Sequence, residues 1–108
     1  MSTDARVFVV QDNNLDYSPA ENFGAVEFLT DEDWSVFPNS PRNDKISAGV
    51  KATLRNYIPT QDSIVLTGSP LNQAVVIAEL LKFGRTHCFL KWDNRTFQYT
   101  RLTMEFPS

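Results

Sequence analysis

The sequence predicts one α/β domain with a mainly parallel five-stranded sheet in the order 2-1-3-4-5, closed by an antiparallel hairpin at its C-terminal edge. Three observations predict it. Short β-branched runs alternate with segments whose apolar residues recur at helical spacing, the pattern of strand–helix–strand units. Ser-Pro pairs at 18–19 and 69–70 mark helix starts. Right-handed crossovers then leave few arrangements of the strands. At 108 residues the chain suits a single domain, 1–108, with one ordinary core.

The elements follow in order. Val7-Phe-Val-Val10 is a buried strand, ended by the turn residues Gln11-Asp-Asn-Asn14. Ser18-Pro-Ala-Glu21 has the form of a capping box, so Pro19–Phe23 is a helix of little more than one turn, with Gly24 as a left-handed stop. Ala25–Leu29 is the second strand. Residues 30–43 are irregular, and such a long connection is often a lid. Trp34, Val36 and Phe37 are expected to pin it. Asp44 is expected to cap a helix in which Ile46, Val50, Leu54 and Tyr57 share one face, ended before Pro59.

Ser63–Leu66 is the third strand, and Ser69-Pro70 opens an apolar helix to Phe83. Its polar residues Asn72, Glu79 and Lys82 fall within roughly 80° of arc, so it is expected to be covered on most sides by the sheet and a neighbour or second subunit. His87–Trp92 is the fourth strand, and a turn at Asp93-Asn94 leads into the fifth, Phe97–Met104. The form is flavodoxin-like or Rossmann-like, with helices on both faces. The alternative is an α+β arrangement in which strands 1 and 2 form a hairpin.

Composition narrows the function. A hydrophobic fraction of 42% with 12% aromatics describes a globular chain. No apolar run reaches the roughly 18 residues of a membrane span, and the Met-Ser-Thr-Asp start has no signal character. One cysteine and one histidine exclude a disulfide framework and disfavour a zinc site. The net charge of −3 divides unevenly. Residues 1–41 hold eight acidic groups against Arg6, while residues 42–108 hold nine Lys/Arg against five acidic groups. Either end could dock a charged partner, but the total is too acidic for a general nucleic-acid binder.

Ligands of open α/β sheets bind beyond the strand C-termini where strand order reverses, here between strands 1 and 3. The candidate ligand residues there are Asp12, Asn13, Tyr17, Ser18, Thr67, Gly68, Ser69 and Asn72. Two helix N-termini would face that crevice, and Gly68 would admit a ligand to the backbone. Capping alone also accounts for Ser69 and Pro70, and the stretch lacks the glycine and lysine pattern of phosphate loops. Asp12 and Asp16 would favour an anion only through Mg²⁺. An Asp after strand 1, Thr67 and Lys91 match phosphoryl-transfer sites in role only. His87 and Cys88 are strand neighbours, point to opposite faces and cannot form a nucleophile–base pair. Trp34, Trp92, Arg95, Tyr99 and Arg101 are the candidate partner-binding residues, although hairpin packing also explains the last four.

Asp16-Tyr-Ser-Pro-Ala-Glu-Asn-Phe-Gly24, Leu66-Thr-Gly-Ser-Pro70 and Leu90-Lys-Trp-Asp93 with Tyr99 resemble small, uncharacterised proteins encoded by bacteriophages. The resemblance spans most of the chain and brings no catalytic residue. It implies a phage accessory protein in the host cytoplasm. The expectation is therefore a non-enzymatic protein-binding or regulatory module with no cofactor or metal. Its partner would be a host or phage protein, and it could self-associate through helix 70–83. The alternative is a nucleotide or small anionic ligand domain, with Mg²⁺, using residues 12–18 and 67–72.

Overall fold

The computed structural model describes residues 4–108, so the reading of Met1, Ser2 and Thr3 lies outside it. The five strands are β1 (Arg6–Gln11), β2 (Ala25–Thr30), β3 (Ser63–Val65), β4 (Thr86–Asp93) and β5 (Gln98–Glu105). They form one sheet in the predicted order β2-β1-β3-β4-β5. β1 runs parallel to β2 and β3, β3 is parallel to β4, and β5 is antiparallel to β4. The hairpin alternative for strands 1 and 2 is therefore excluded.

The long helices are α1 (Pro41–Thr53) and α2 (Pro70–Leu80), each followed by a 3₁₀ turn. Ser-Pro starts both. The Ser40 hydroxyl accepts the Arg42 N–H at 3.2 Å, and the Ser69 hydroxyl accepts the Leu71 N–H at 3.2 Å. Proline at the first helical position costs no hydrogen bond, because that N–H has no partner within the helix. Asp44 thus sits in the first turn of α1 and is not its cap. The capping box at Ser18 also fails. Ser18–Phe23 is a 3₁₀ helix with Tyr17 at the N-cap position and no side-chain cap. Asp16 instead accepts both the Ser18 N–H at 2.9 Å and its hydroxyl at 2.6 Å. Gly24 ends this helix at φ +148°, where a Cβ would meet the Ala5 carbonyl at 2.5 Å.

The chain steps one way from β1 to β2 and the other way from β2 through β3 to β4. Right-handed crossovers place such connections on opposite sheet faces. The packing matches. Phe8, Val10 and Ile64 join Ile46, Val50 and Leu54 of the α1 side with Val76 and Leu80 of α2. On the other face Val7, Val9 and Val65 meet Tyr17 and Ala20 of the 3₁₀ segment, with Leu90. One face therefore carries two long helices, and the other carries six residues of 3₁₀ helix. Full burial of Phe8, Ile64 or Leu80 contributes roughly 1.5–3 kcal/mol each.

The outward side of α2 differs from the expected polar stripe. Asn72 is buried, whereas Leu71, Ala74, Ala78 and Leu81 are exposed. Loop 31–40 is also held differently. Val36 and Phe37 are 81% and 73% exposed and pin nothing, while Trp34 packs on the α-helical core. Two asparagines do the holding. Asn43 accepts from Ser35 N–H and donates to the Ser35 and Phe37 carbonyls. Asn72 accepts the Trp34 N–H at 2.9 Å and donates to the Glu32 carbonyl at 2.8 Å.

Candidate functional site

At the strand-order reversal, the chain fills the crevice with its own groups. Gln11, the last residue of β1, turns its side chain toward the start of α2. Its Oε1 accepts from Ser69 N–H at 2.7 Å and from Asn72 Nδ2 at 2.9 Å, and its Nε2 donates to Asp33 at 2.6 Å. The Ser69 N–H can only donate, which fixes the oxygen of Gln11 toward it. Gly68, at φ +83°, allows this approach, since a Cβ there would lie 2.1 Å from Gln11 Oε1. Thr67 donates its hydroxyl to the Gln11 carbonyl at 2.7 Å. Thr67, Gly68, Ser69 and Asn72 thus come together, engaged with Gln11 in place of a ligand.

The 12–18 segment is folded on itself. Asp12 accepts from Asn14 N–H, and the Tyr17 hydroxyl accepts from Asn13 N–H at 3.2 Å. The Tyr17 ring is buried and meets Phe28 edge-on with centroids 5.4 Å apart. The Asp16 carboxyl, bonded by the Ser18 hydroxyl and N–H, is held below its ordinary pKa and stays anionic.

Beside this segment, on the thinly covered face, lies a half-open groove of about 670 Å³. Val65 and Leu90 line it from β3 and β4. Leu15, Asp16 and Pro19 contribute from the 12–19 segment, and Trp92 and Tyr99 from the hairpin. Leu66, Thr67 and Lys91 come from the ends of β3 and β4. Trp92 and Tyr99 are direct cross-strand partners, their rings edge-to-face at 5.0 Å. Trp92 Nε1 donates to Asn94 at 2.8 Å, which fixes the indole. Burial raises the Tyr99 phenol pKa first, and the neighbouring Tyr17 and Asp16 add to it. Lys91 is exposed and has no ion-pair partner among the described residues. The surface is apolar and aromatic, with the Asp16 carboxylate at its margin. Phe89 and Lys91 border it from β4, but they alternate with Leu90 and Trp92, so their side chains turn to the other face.

The groove takes members from both residue sets singled out in the sequence. Asp16 and Thr67 come from the crevice segments, and Trp92 and Tyr99 from the hairpin. The other partner candidates lie elsewhere. Trp34 is on the helical face, and Arg95 is exposed at the hairpin turn beside Asp93. Arg101 reaches back to Ser63 Oγ at 2.9 Å and the Thr60 carbonyl at 3.4 Å, at the start of β3. Thr67 and Lys91 share the groove without Asp12, and no group of three or more His, Cys, Asp and Glu side chains suited to a metal occurs among the described residues. Leu15, Pro19, Val65, Leu66 and Leu90 were not identified from sequence. They come from three separate segments and share no local spacing.

His87 and Cys88 do point to opposite faces. Gly84 carbonyl can only accept, so His87 Nε2 carries the hydrogen bonded to it at 2.9 Å. Nδ1 then accepts from the Tyr57 hydroxyl at 2.6 Å. Cys88 Sγ lies 3.6 Å from Thr103 Oγ1 on β5. No helix among the described residues is long and apolar enough to cross a membrane.

No curated protein and no solved structure matches the chain. The model of one protein family matches residues 5–106, nearly the whole sequence, and the chain belongs to that family, the Phage Pam3 gp32-like proteins.

Proposed function

We propose that this phage protein is a non-enzymatic binding module that works in the host cytoplasm and holds an apolar segment of a host or phage protein in the Trp92–Tyr99 groove. The observation that carries this reading is the groove itself. It is about 670 Å³ and walled by an edge-to-face aromatic pair held on β4 and β5. Buried aromatic anchors in such pockets dominate protein–protein affinity, and rim charges tune rate and orientation more than strength. Asp16 suits that rim role.

The nucleotide or anion reading of residues 12–18 and 67–72 has less support. The donor at Ser69 that an anion would use is satisfied by Gln11. Capture from host lysate by the wild-type chain, Trp92→Ala and a Lys51→Ala control tests the first reading. A groove anchor worth about 2 kcal/mol lowers affinity roughly 30-fold in Trp92→Ala only. Equal capture by all three contradicts it. A melting scan with nucleotides and Mg²⁺ tests the second, since ligand at 100 times its Kd adds about 2.7 kcal/mol. No shift is expected.

A further inference from the structure

We propose that β5 pairs antiparallel with β5 of a second copy, about a two-fold axis at Thr103, to make one continuous ten-stranded sheet. β5 is the last strand of the sheet and is paired with β4 along all eight residues without a bulge. Gln98–Glu105 contains no proline and no lysine, the residues that commonly blunt an exposed edge.

The orientation of its free edge is fixed by one bond. Phe106 N–H donates to the Arg85 carbonyl at 2.8 Å, and hydrogen-bonded pairs alternate along an antiparallel ladder. Leu102 and Met104 therefore direct their backbone groups to β4, while Arg101, Thr103 and Glu105 direct theirs outward. Among registers centred on an outward-directed residue, charge favours one. Pairing centred on Arg101 would oppose two cations, and pairing centred on Glu105 would oppose two anions. Centring on Thr103 sets Arg101 across from Glu105 of the second copy, twice. It also sets Leu102, 44% exposed, across from Met104, 47% exposed, on the other face. Pro107 would fall opposite Tyr99 and stops the ladder there, so the groove walls stay free. The surface is distinct from the exposed apolar side of α2.

Light scattering after gel filtration tests this at micromolar concentration. The wild type is expected at twice 12.3 kDa. Thr103→Pro is expected to be a folded monomer, because the N–H it removes points outward and the hydroxyl it removes has only the long contact to Cys88. In a Cys88→Ser background, Thr103→Cys is expected to form a disulfide-linked dimer under mild oxidation, which keeps the test open should the proline variant unfold. A monomeric wild type overturns the proposal, as does the absence of that cross-link. So does a dimer that survives Thr103→Pro but is lost in Ala78→Glu on α2.

Discussion

The two faces of the sheet are built from the same parallel strands and end in opposite conditions. On one, α1 and α2 close a core around Phe8, Val10 and Ile64, and the amides of Asn43 and Asn72 tie loop 31–40 down over it. On the other, the connection from β1 to β2 affords only the 3₁₀ helix Ser18–Phe23, which covers Val7 and Val9 and reaches only part of the hairpin. The difference follows from connection length. A crossover too short for a full helix leaves the far strands only partly covered, and Leu90, Trp92 and Tyr99 line a groove there. The closed face holds the larger core, and the proposed binding groove lies on the open one.

Substitutions on the two faces should separate those roles. The largest effect is expected from Phe8→Ala, at about 4 kcal/mol of lost stability by urea unfolding, because its site is fully enclosed. Asn72→Ala follows at about 3 kcal/mol. It leaves the Trp34 N–H and the Glu32 carbonyl without their partner, and faster hydrogen exchange across 31–40 should accompany it.

Tyr57→Phe removes the hydrogen bond to His87 and should cost about 1 kcal/mol at neutral pH. Burial pushes the Tyr57 phenol far above its ordinary value of 10.0. A group with a raised folded pKa contributes fully below its unfolded pKa, and that contribution is lost as pH rises above it. The wild type should therefore lose stability above about pH 10, and Tyr57→Phe should lose less over the same range. The smallest stability effect, under about 1 kcal/mol, is expected from Trp92→Ala, which is half-exposed on the open face. That variant should lose partner capture, whereas Tyr57→Phe should retain it.

The strand order was legible because parallel strands buried on both faces read as unbroken apolar runs, and Val7–Val10 is such a run. The start of α1 was not, since Pro41 also reads as a loop breaker, and only Ser40 before it distinguishes an N1 proline. Asn72 was misread for a related reason. A polar residue on an apolar helix is ordinarily assigned to solvent, yet here it faces Gln11 and the loop. Gln11 itself reads as turn chemistry, and its role depends on a partner 58 residues away. Trp92 and Tyr99 were visible as a cross-strand pair. Leu15, Pro19, Val65 and Leu90 become neighbours only through the topology, so no spacing rule marks the groove they form with that pair.

Site-specific photo-crosslinking in infected host cells tests the division of faces most directly. A photoreactive residue replacing Leu15 at the groove rim should crosslink a protein other than the chain itself, and Trp92→Ala should abolish that product. The same residue replacing Lys51, on α1, should yield none. A product from position 51 alone, or one from position 15 that survives Trp92→Ala, would contradict the assignment of the open face as the binding face.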